Sequence, residues 1–438
     1  MKTLIKNVLR LGIIVFFIST CGSVYAQNGN DDYITVSGQL KDARSGEKII
    51  YANVSLPGTG IGTVSNSEGE FTLKVNKTLN IDEFEISHLS YATKRFKILE
   101  YAGKEKTLYL EPQVLMLKEI LVVPKDARSV VETALSNVRK NYSEVPNMME
   151  GFYRETIRQR RDYLSISEAV VDIYKAPYNS FQDDQVKIYK GRKGGNVKKA
   201  DTLMVQLQGG PNVAMLLDIV KNTDLSIALD NLDNYQFEFE AMVNIDDKPN
   251  WVISFAPNVV KEEPLYYGKL YISQEKMAIT RAEFSLDLKD EDKASRVFVQ
   301  KKPMGLIFMP TATSYLVTYK EQNNKFYLNY VRVDLKFRCD WKKRLFKNYY
   351  SVMSEVAITD RREDNITKFA QKEVFKPSMV FADKVENFSD PNFWGNSNII
   401  EPEESIENAI KKLSKMKIDF NTWKESEAST FWLPISNS

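Results

Sequence analysis

Val331-Arg332-Val333-Asp334-Leu335-Lys336-Phe337-Arg338-Cys339-Asp340-Trp341 alternates without a break, with every odd-numbered residue apolar and every even-numbered one charged. A period of two marks a strand with one buried and one wet face, so this stretch decides for sheet against helix. It also puts Cys339 on the buried face, as a packed thiol and not a nucleophile. The same period recurs on both sides. Tyr235, Phe237, Phe239, Ala241 and Val243 share one face opposite Gln236, Glu238 and Glu240, and Asp246-Asp247-Lys248-Pro249-Asn250 turns the chain into Trp251, Ile253 and Phe255. Leu270 and Ile272 follow, then a turn at Gln274-Glu275-Lys276 and a return through Ala282, Phe284, Leu286 and Leu288. Ser314 to Lys320, Phe326 to Trp341 and Tyr349 to Ile358 continue the series. Hairpins in series predict a large, curved antiparallel sheet.

A helix is expected before it, with Ser129 and Glu132 at capping-box spacing and Val130, Val131, Ala134, Leu135 and Val138 on one face. A second is expected from Asn212 to Lys221 after Gly209-Gly210-Pro211, and a third over Ile406 to Met416. This gives an α+β domain over 125–420, with a tail at 421–438. Its concave face should be lined by Trp251, Phe255, Phe284 and Leu286, which makes these four the candidate ligand-binding residues for something apolar, such as a lipid. Either later helix would compete for that space.

Upstream, residues 33–110 hold seven short β segments at roughly ten-residue spacing. These are Ile34–Leu40, Ile49–Leu56, Ile61–Val64, Glu70–Val75, Glu83–Leu89, Thr93–Leu99 and Lys106–Leu110, with a turn at Ser65-Asn66-Ser67-Glu68-Gly69. They read as a β-sandwich, joined by a linker at 111–124 that contains Leu117 to Pro124. The two parts are expected to be independently stable, with the boundary between Glu111 and Asp126.

Val36-Ser37-Gly38, Asp42, Ser45-Gly46-Glu47, Ala52-Asn53-Val54, Gly58-Thr59, Gly62-Thr63, Ser65-Asn66 and Gly69-Glu70-Phe71, in this order, resemble the carboxypeptidase regulatory-like domain. The resemblance covers about 75 residues and implies a prealbumin-like sandwich, a non-catalytic accessory module despite its name. The tail motif Asp390-Pro391-Asn392-Phe393-Trp394-Gly395 with Asn398 to Ile410 extends it to a family of exported Bacteroidota proteins known by that domain alone. Tyr267 to Ile272 running into Ile279 to Phe284 is similar to a strand repeat of outer-membrane lipoprotein carriers.

The chain has 438 residues, 43% hydrophobic and 27% charged, with a formal charge of +2. Lys2, Lys6 and Arg10, the apolar run Leu11 to Ile18 and Val24-Tyr25-Ala26 form a secretory signal (1–26), with cleavage between Ala26 and Gln27. Removing its three cations leaves a mature charge of −1, which argues against a general nucleic-acid binder. The alternative makes Cys21 a lipoprotein anchor, although Thr20 is a poor residue before such a cysteine. The expected place is the periplasm or the periplasmic face of the outer membrane.

A single histidine, His88, excludes histidine-paired zinc sites and most catalytic triads. It alternates with Phe84 and Ile86 and reads as structural. No nucleophile elbow, phosphate loop or dinucleotide fingerprint is present. Gly191-Arg192-Lys193-Gly194-Gly195 reads as a solvated hairpin tip, and Glu238 and Glu240 as the polar face of a half-buried sheet. Arg154, Arg158, Arg160, Arg161 and Lys342, Lys343, Arg344 are interleaved with Phe152, Tyr153, Trp341 and Phe346. They read as strand ends and turns, with peripheral contact to anionic headgroups as the functional alternative. No catalytic, cofactor-binding or metal-ligating residues are expected. The leading expectation is a non-enzymatic envelope binding or assembly module for an apolar ligand. Its rivals are a protein–protein adaptor for outer-membrane machinery and a carboxylate-based hydrolase, which needs two acids sharing a cleft.

Overall fold

The structure, a computed structural model, describes residues 32–113, 126–195, 206–207, 210–222, 228–301, 304–341, 347–387 and 392–414. The signal with its Ala26/Gln27 junction, Cys21, the run Leu117 to Pro124, Lys342 to Arg344 with Phe346, and the 421–438 tail lie outside the described residues.

The first unit comprises β1 (Tyr33–Asp42), β2 (Asn53–Ser55), β3 (Gly62–Val64), β4 (Glu70–Asn76), β5 (Glu83–Ser87), β6 (Lys94–Lys97) and β7 (Glu105–Leu110). They form two sheets, β4-β1-β7 and β3-β2-β5-β6. Alternation along β1 and β4 sends Val36, Leu40, Phe71 and Leu73 inward to meet Val54, Phe84 and Ile86. The expected turn forms because Asn66 Oδ1 accepts from Glu68 N and Glu70 N, while Gly69 takes φ 75°. Several strands are shorter than the sequence reading has them, Ile49–Leu56 being reduced to Asn53–Ser55 and Glu83–Leu89 to Glu83–Ser87. β7 pairs with β1 in parallel, and the strand expected to reach Leu99 ends at Lys97, where the chain enters the helical turn Ile98–Tyr101.

The second part contains β8 (Asn147–Gln159), β9 (Asp162–Lys175), β10 (Gln185–Gly195), β11 (Gln206–Leu207), β12 (Tyr235–Phe239), β13 (Val243–Ile245) and β14 (Lys248–Pro257). It continues with β15 (Tyr266–Ser273), β16 (Ile279–Leu286), β17 (Val299–Lys301), β18 (Leu306–Gln322), β19 (Lys325–Trp341), β20 (Tyr349–Arg362) and β21 (Glu386–Asn387). Twelve of them make one curved sheet in the order β12-β14-β15-β16-β18-β19-β20-β8-β9-β10-β21, with β13 also on β14. Its pairings are antiparallel except β10 with β21. The mainly β architecture expected from the alternation is the one observed.

The inner face of this sheet lies under α1 (Ala127–Ser136) and α2 (Pro211–Leu216). Asp126 caps α1, accepting from Arg128 N and Ser129 N. Ser129 therefore sits in the first turn, not at the cap, and its hydroxyl donates to Asp126 O at 2.7 Å. Aspartate three residues earlier is simply the better placed acceptor. α2 ends at Leu216, short of the expected Lys221, and the chain finishes in turns. α3 (Glu291–Phe298) flanks β18, and α4 (Glu404–Ser414) packs Ile406 on Ile166 of the outer face, so it does not compete for the interior. The outer face otherwise carries the sandwich and the segment 392–401, joined through Val64, Phe152, Tyr330, Trp394 and Ile400.

Close strand approach makes one glycine indispensable. A Cβ on Gly268 would stand 2.1 Å from Glu283 O and 2.6 Å from Phe284 Cα, both main chain. Gly268→Ala should therefore cost about 2 kcal/mol through forced separation of β15 from β16, read as a lower thermal midpoint. An unchanged midpoint would contradict the packing.

Candidate functional site

The four residues expected to line a ligand site are together, and they are buried. Trp251 packs on Phe239 at 5.5 Å between ring centres, Phe255 on Tyr235 at 5.7 Å, and Phe284 stacks on Tyr315 at 5.0 Å. Leu286 is buried beside them, and all four belong to one continuous core with Val130, Val131 and Met215 from the covering segments. None of them lines the seam clefts or the cleft at the β10 edge.

The outer face holds what the sequence reading missed. Arg332, Glu355, Arg154, Glu168 and Arg192 stand directly opposite one another on β19, β20, β8, β9 and β10, a row of alternating charge across five strands. Arg154 Nε lies 2.8 Å from Glu168 Oε1 and its Nη1 3.3 Å from Glu355 Oε1. Arg192 Nε lies 2.9 Å from Glu168 Oε2, and Arg332 Nη1 lies 3.3 Å from Glu355 Oε2. Tyr330 donates to Glu355 at 2.7 Å. The row is capped from above: Arg154 Nη2 donates to Ile400 O at 2.8 Å, Arg192 lies over Trp394, and Arg332 lies over Tyr51 of the sandwich. Each carboxylate is compensated by arginines on both sides, so the row acts as an internal fastener.

Two expectations are corrected by this row. Gly191 to Gly195 is no solvated tip; it is the end of β10, and Arg192 is buried there. Arg154 is no strand-end cation, being 1% exposed. Both sit at positions of polar period, which alternation assigns to water. The available signal was Ala169-Val170-Val171 beside Glu168, a continuous apolar run that marks burial on both faces.

A second cross-strand row is acidic. Asp360, Glu150 and Asp172 face one another on β20, β8 and β9. Burial, reinforced by Asp172 and Asp360, raises the Glu150 carboxyl above its usual range. Folding therefore favours its protonated form, and stability falls as pH rises through the raised value. Glu150→Gln should stabilise the protein at pH 7 by about 0.5 kcal/mol after solvent screening, and not below the ordinary carboxyl range near pH 4. Urea midpoints at the two pH values check it. These acids line none of the four clefts, and Glu240 is paired to Lys269.

A cleft of about 530 Å³ lies at the seam between the sandwich and one end of the sheet. Two tight hairpins build its rim, with Asp246, Asp247, Asn323 and Asn324 all at positive φ, the geometry of type I′ turns. Its walls carry paired charges, Lys248 with Glu321 at 2.6 Å and Arg95 with Glu85 at 3.4 Å, beside Asn250, Ser273 and Thr280. Lys320 reaches across to Ser55 of the sandwich. A recess of about 50 Å³ continues past Arg281 to His88.

Burial, with Arg281 nearby, pushes the His88 imidazole down to about 4. Its Nδ1 has no hydrogen-bond partner among the described residues. The folded value lies below the unfolded one of about 6.5, so the unfolded chain binds more protons between them, and stability is lost as pH falls through that window. The full loss is about 3 kcal/mol. His88→Gln should flatten this stretch of the stability–pH curve relative to the unaltered protein; parallel curves would show that His88 titrates normally.

No curated protein matches the chain. Among solved structures, it is similar to a DUF1329 family protein from Desulfovibrio piger at 11% identity and TM-score 0.25, covering 56% of this chain and 96% of that one. A putative outer membrane lipoprotein-sorting protein domain from Vibrio parahaemolyticus is 8% identical at TM-score 0.25, covering 56% and 95%. A putative membrane-associated protein from Bacteroides fragilis is 12% identical at TM-score 0.15, covering 75% and 98%. At these scores the likenesses assign neither fold nor function. The sandwich is different: residues 36–122 match the model of the CarboxypepD_reg-like domain, the same resemblance that the glycine and asparagine motifs carry in the sequence.

Proposed function

We propose that this protein is a non-enzymatic module of the cell envelope that acts as a protein–protein adaptor, with the polar seam as its contact surface. The observation that carries the reading is the filled inner face. Trp251, Phe255, Phe284 and Leu286 are buried in one continuous core filled by the chain's own side chains, Val130 and Val131 of α1 among them, so the apolar surface that would hold an acyl chain is already spent on the core. The seam cleft exceeds the roughly 300 Å³ usual for a binding site and is lined by ion pairs, amides and hydroxyls, which suit a polar partner segment better than a lipid. The exported location rests on the signal read in the sequence, and the domain boundary between Glu111 and Asp126 belongs to the same proposal.

The test has two arms. Protein purified from its own envelope should show only its own mass by native mass spectrometry and yield no lipid on extraction. A photo-crosslinking residue at exposed Asn324 on the seam should give a discrete adduct in intact cells, while one at exposed Tyr109 should not. Co-purifying lipid that disappears with Phe284→Arg would restore the ligand reading. Equal adducts at both positions, or none at Asn324, would sink the adaptor.

A further inference from the structure

At the end of the sheet away from the seam, the β8–β9 turn and the starts of β20 and β18 come together. The β8–β9 turn carries Arg160 and Arg161, Lys347 leads into β20, and Met304 leads into β18. Arg160 N donates to Tyr349 O, which ties the β8–β9 turn to the start of β20. Lys347 is about 185 residues from Arg161 in sequence, yet the fold places Arg158, Arg160, Arg161 and Lys347 at one tip. None of these four has an ion pair among the described residues. Asp340 is occupied by Arg338 at 2.9 Å and Asn348 N at 2.7 Å, and Asp162 is the acid within the turn. Beside the cations, Met304 is 97% exposed and Tyr349 49% exposed. Arg160 itself takes φ 55°, a left-handed conformation in which asparagine or glycine would be easier.

We propose that this tip docks on an anionic phospholipid surface. Arg160, Arg161 and Lys347, exposed and without an ion pair among the described residues, supply the attraction to headgroup phosphates, while Arg158 lies over the Tyr163 ring beneath them, and an exposed methionine and tyrosine supply shallow apolar contact at the interface. Strands of 13 to 17 residues separate the tip from the seam, about 40–55 Å at roughly 3.3 Å per residue. The sheet then stands as a spacer with its basic end on the membrane and its seam held clear of it. This inference is independent of the adaptor reading, because it concerns the opposite end of the sheet and needs no protein partner.

Flotation of the full mature chain with vesicles tests it. Binding is expected to vesicles of phosphatidylcholine with phosphatidylglycerol and not to phosphatidylcholine alone. It should fade from about 0.15 M to about 1 M salt, as the Debye length falls from about 8 to about 3 Å. Arg160→Glu/Arg161→Glu/Lys347→Glu should weaken binding by at least roughly a hundredfold with an unchanged circular dichroism spectrum. Lys48→Glu/Lys94→Glu/Lys104→Glu, the same change of net charge placed on exposed sandwich residues, should bind as the unaltered protein does. If the triple reversal fails to fold, Arg161→Ser/Lys347→Ser serves in its place with a smaller loss. No flotation with anionic vesicles, equal flotation with neutral ones, or flotation indifferent to the tip variants overturns the proposal. Release by millimolar inorganic phosphate overturns it too, because that would mark a site for a free anion.

Discussion

Arg154→Ala is expected to destabilise the protein by about 3–5 kcal/mol, enough to unfold many domains outright. The reason lies in what would remain. Glu168 and Glu355 both face the Arg154 guanidinium from neighbouring strands, and both are nearly inaccessible to water. Arg192 and Arg332 would still hold one oxygen of each carboxylate, but the central cation between them would be gone. Ile400 O would lose its donor at the same time, so the 392–401 segment should loosen and become cleavable by protease. Arg154→Lys keeps the charge and loses the planar fork, so it should fall between the two. Urea unfolding decides the matter, and a loss below about 1 kcal/mol would show that the row is worth no more than a surface pair.

The sheet was legible in the sequence because alternation is a local signal. Val331 to Trp341 reads as a strand with no knowledge of its neighbours, and it is the second half of β19. The sandwich was legible for the same reason, helped by turn residues such as Asn66 and Gly69. The extent of β18 was not: it begins at Leu306, eight residues before the Ser314 read from the sequence, because Pro310 and a register shift between Pro310 and Ala312 break the period. The charge row was invisible for a deeper reason. Alternation tells which residues share a face, and not which face a distant segment will cover. Glu168 and Arg154 look solvated until the sandwich and the 392–401 segment are laid over them. The tip follows the same rule in reverse, since its cations are obvious one by one and only the pairing of β20 with β8 joins them.

Asp218→Ala is expected to cost about as much as Arg154→Ala, about 3–5 kcal/mol, and to change the surface as well. Asp218 follows α2 and is fully buried at the inner face. Tyr178 donates to its Oδ2 at 2.9 Å, Tyr319 donates to its Oδ1 at 2.7 Å, and Lys175 Nζ lies 2.7 Å from Oδ2. Burial pulls the Lys175 ammonium down, but Asp184 and Asp218 outweigh it and hold its proton more firmly than usual. Alanine would leave two buried hydroxyls without their acceptor and a buried ammonium with half its compensation. The residues that bind α2 to the sheet would then favour letting it go. Asp218→Asn should lose less, because an amide oxygen still accepts one hydroxyl. The informative readout beyond the melting curve is dye binding. The unaltered protein should leave 1-anilinonaphthalene-8-sulfonate dark, and Asp218→Ala should bind it at temperatures below its own transition, through the inner surface that α2 vacates. Dye binding by the unaltered protein would mean that the inner face already opens to apolar molecules, and the closed interior behind the adaptor reading would have to be abandoned.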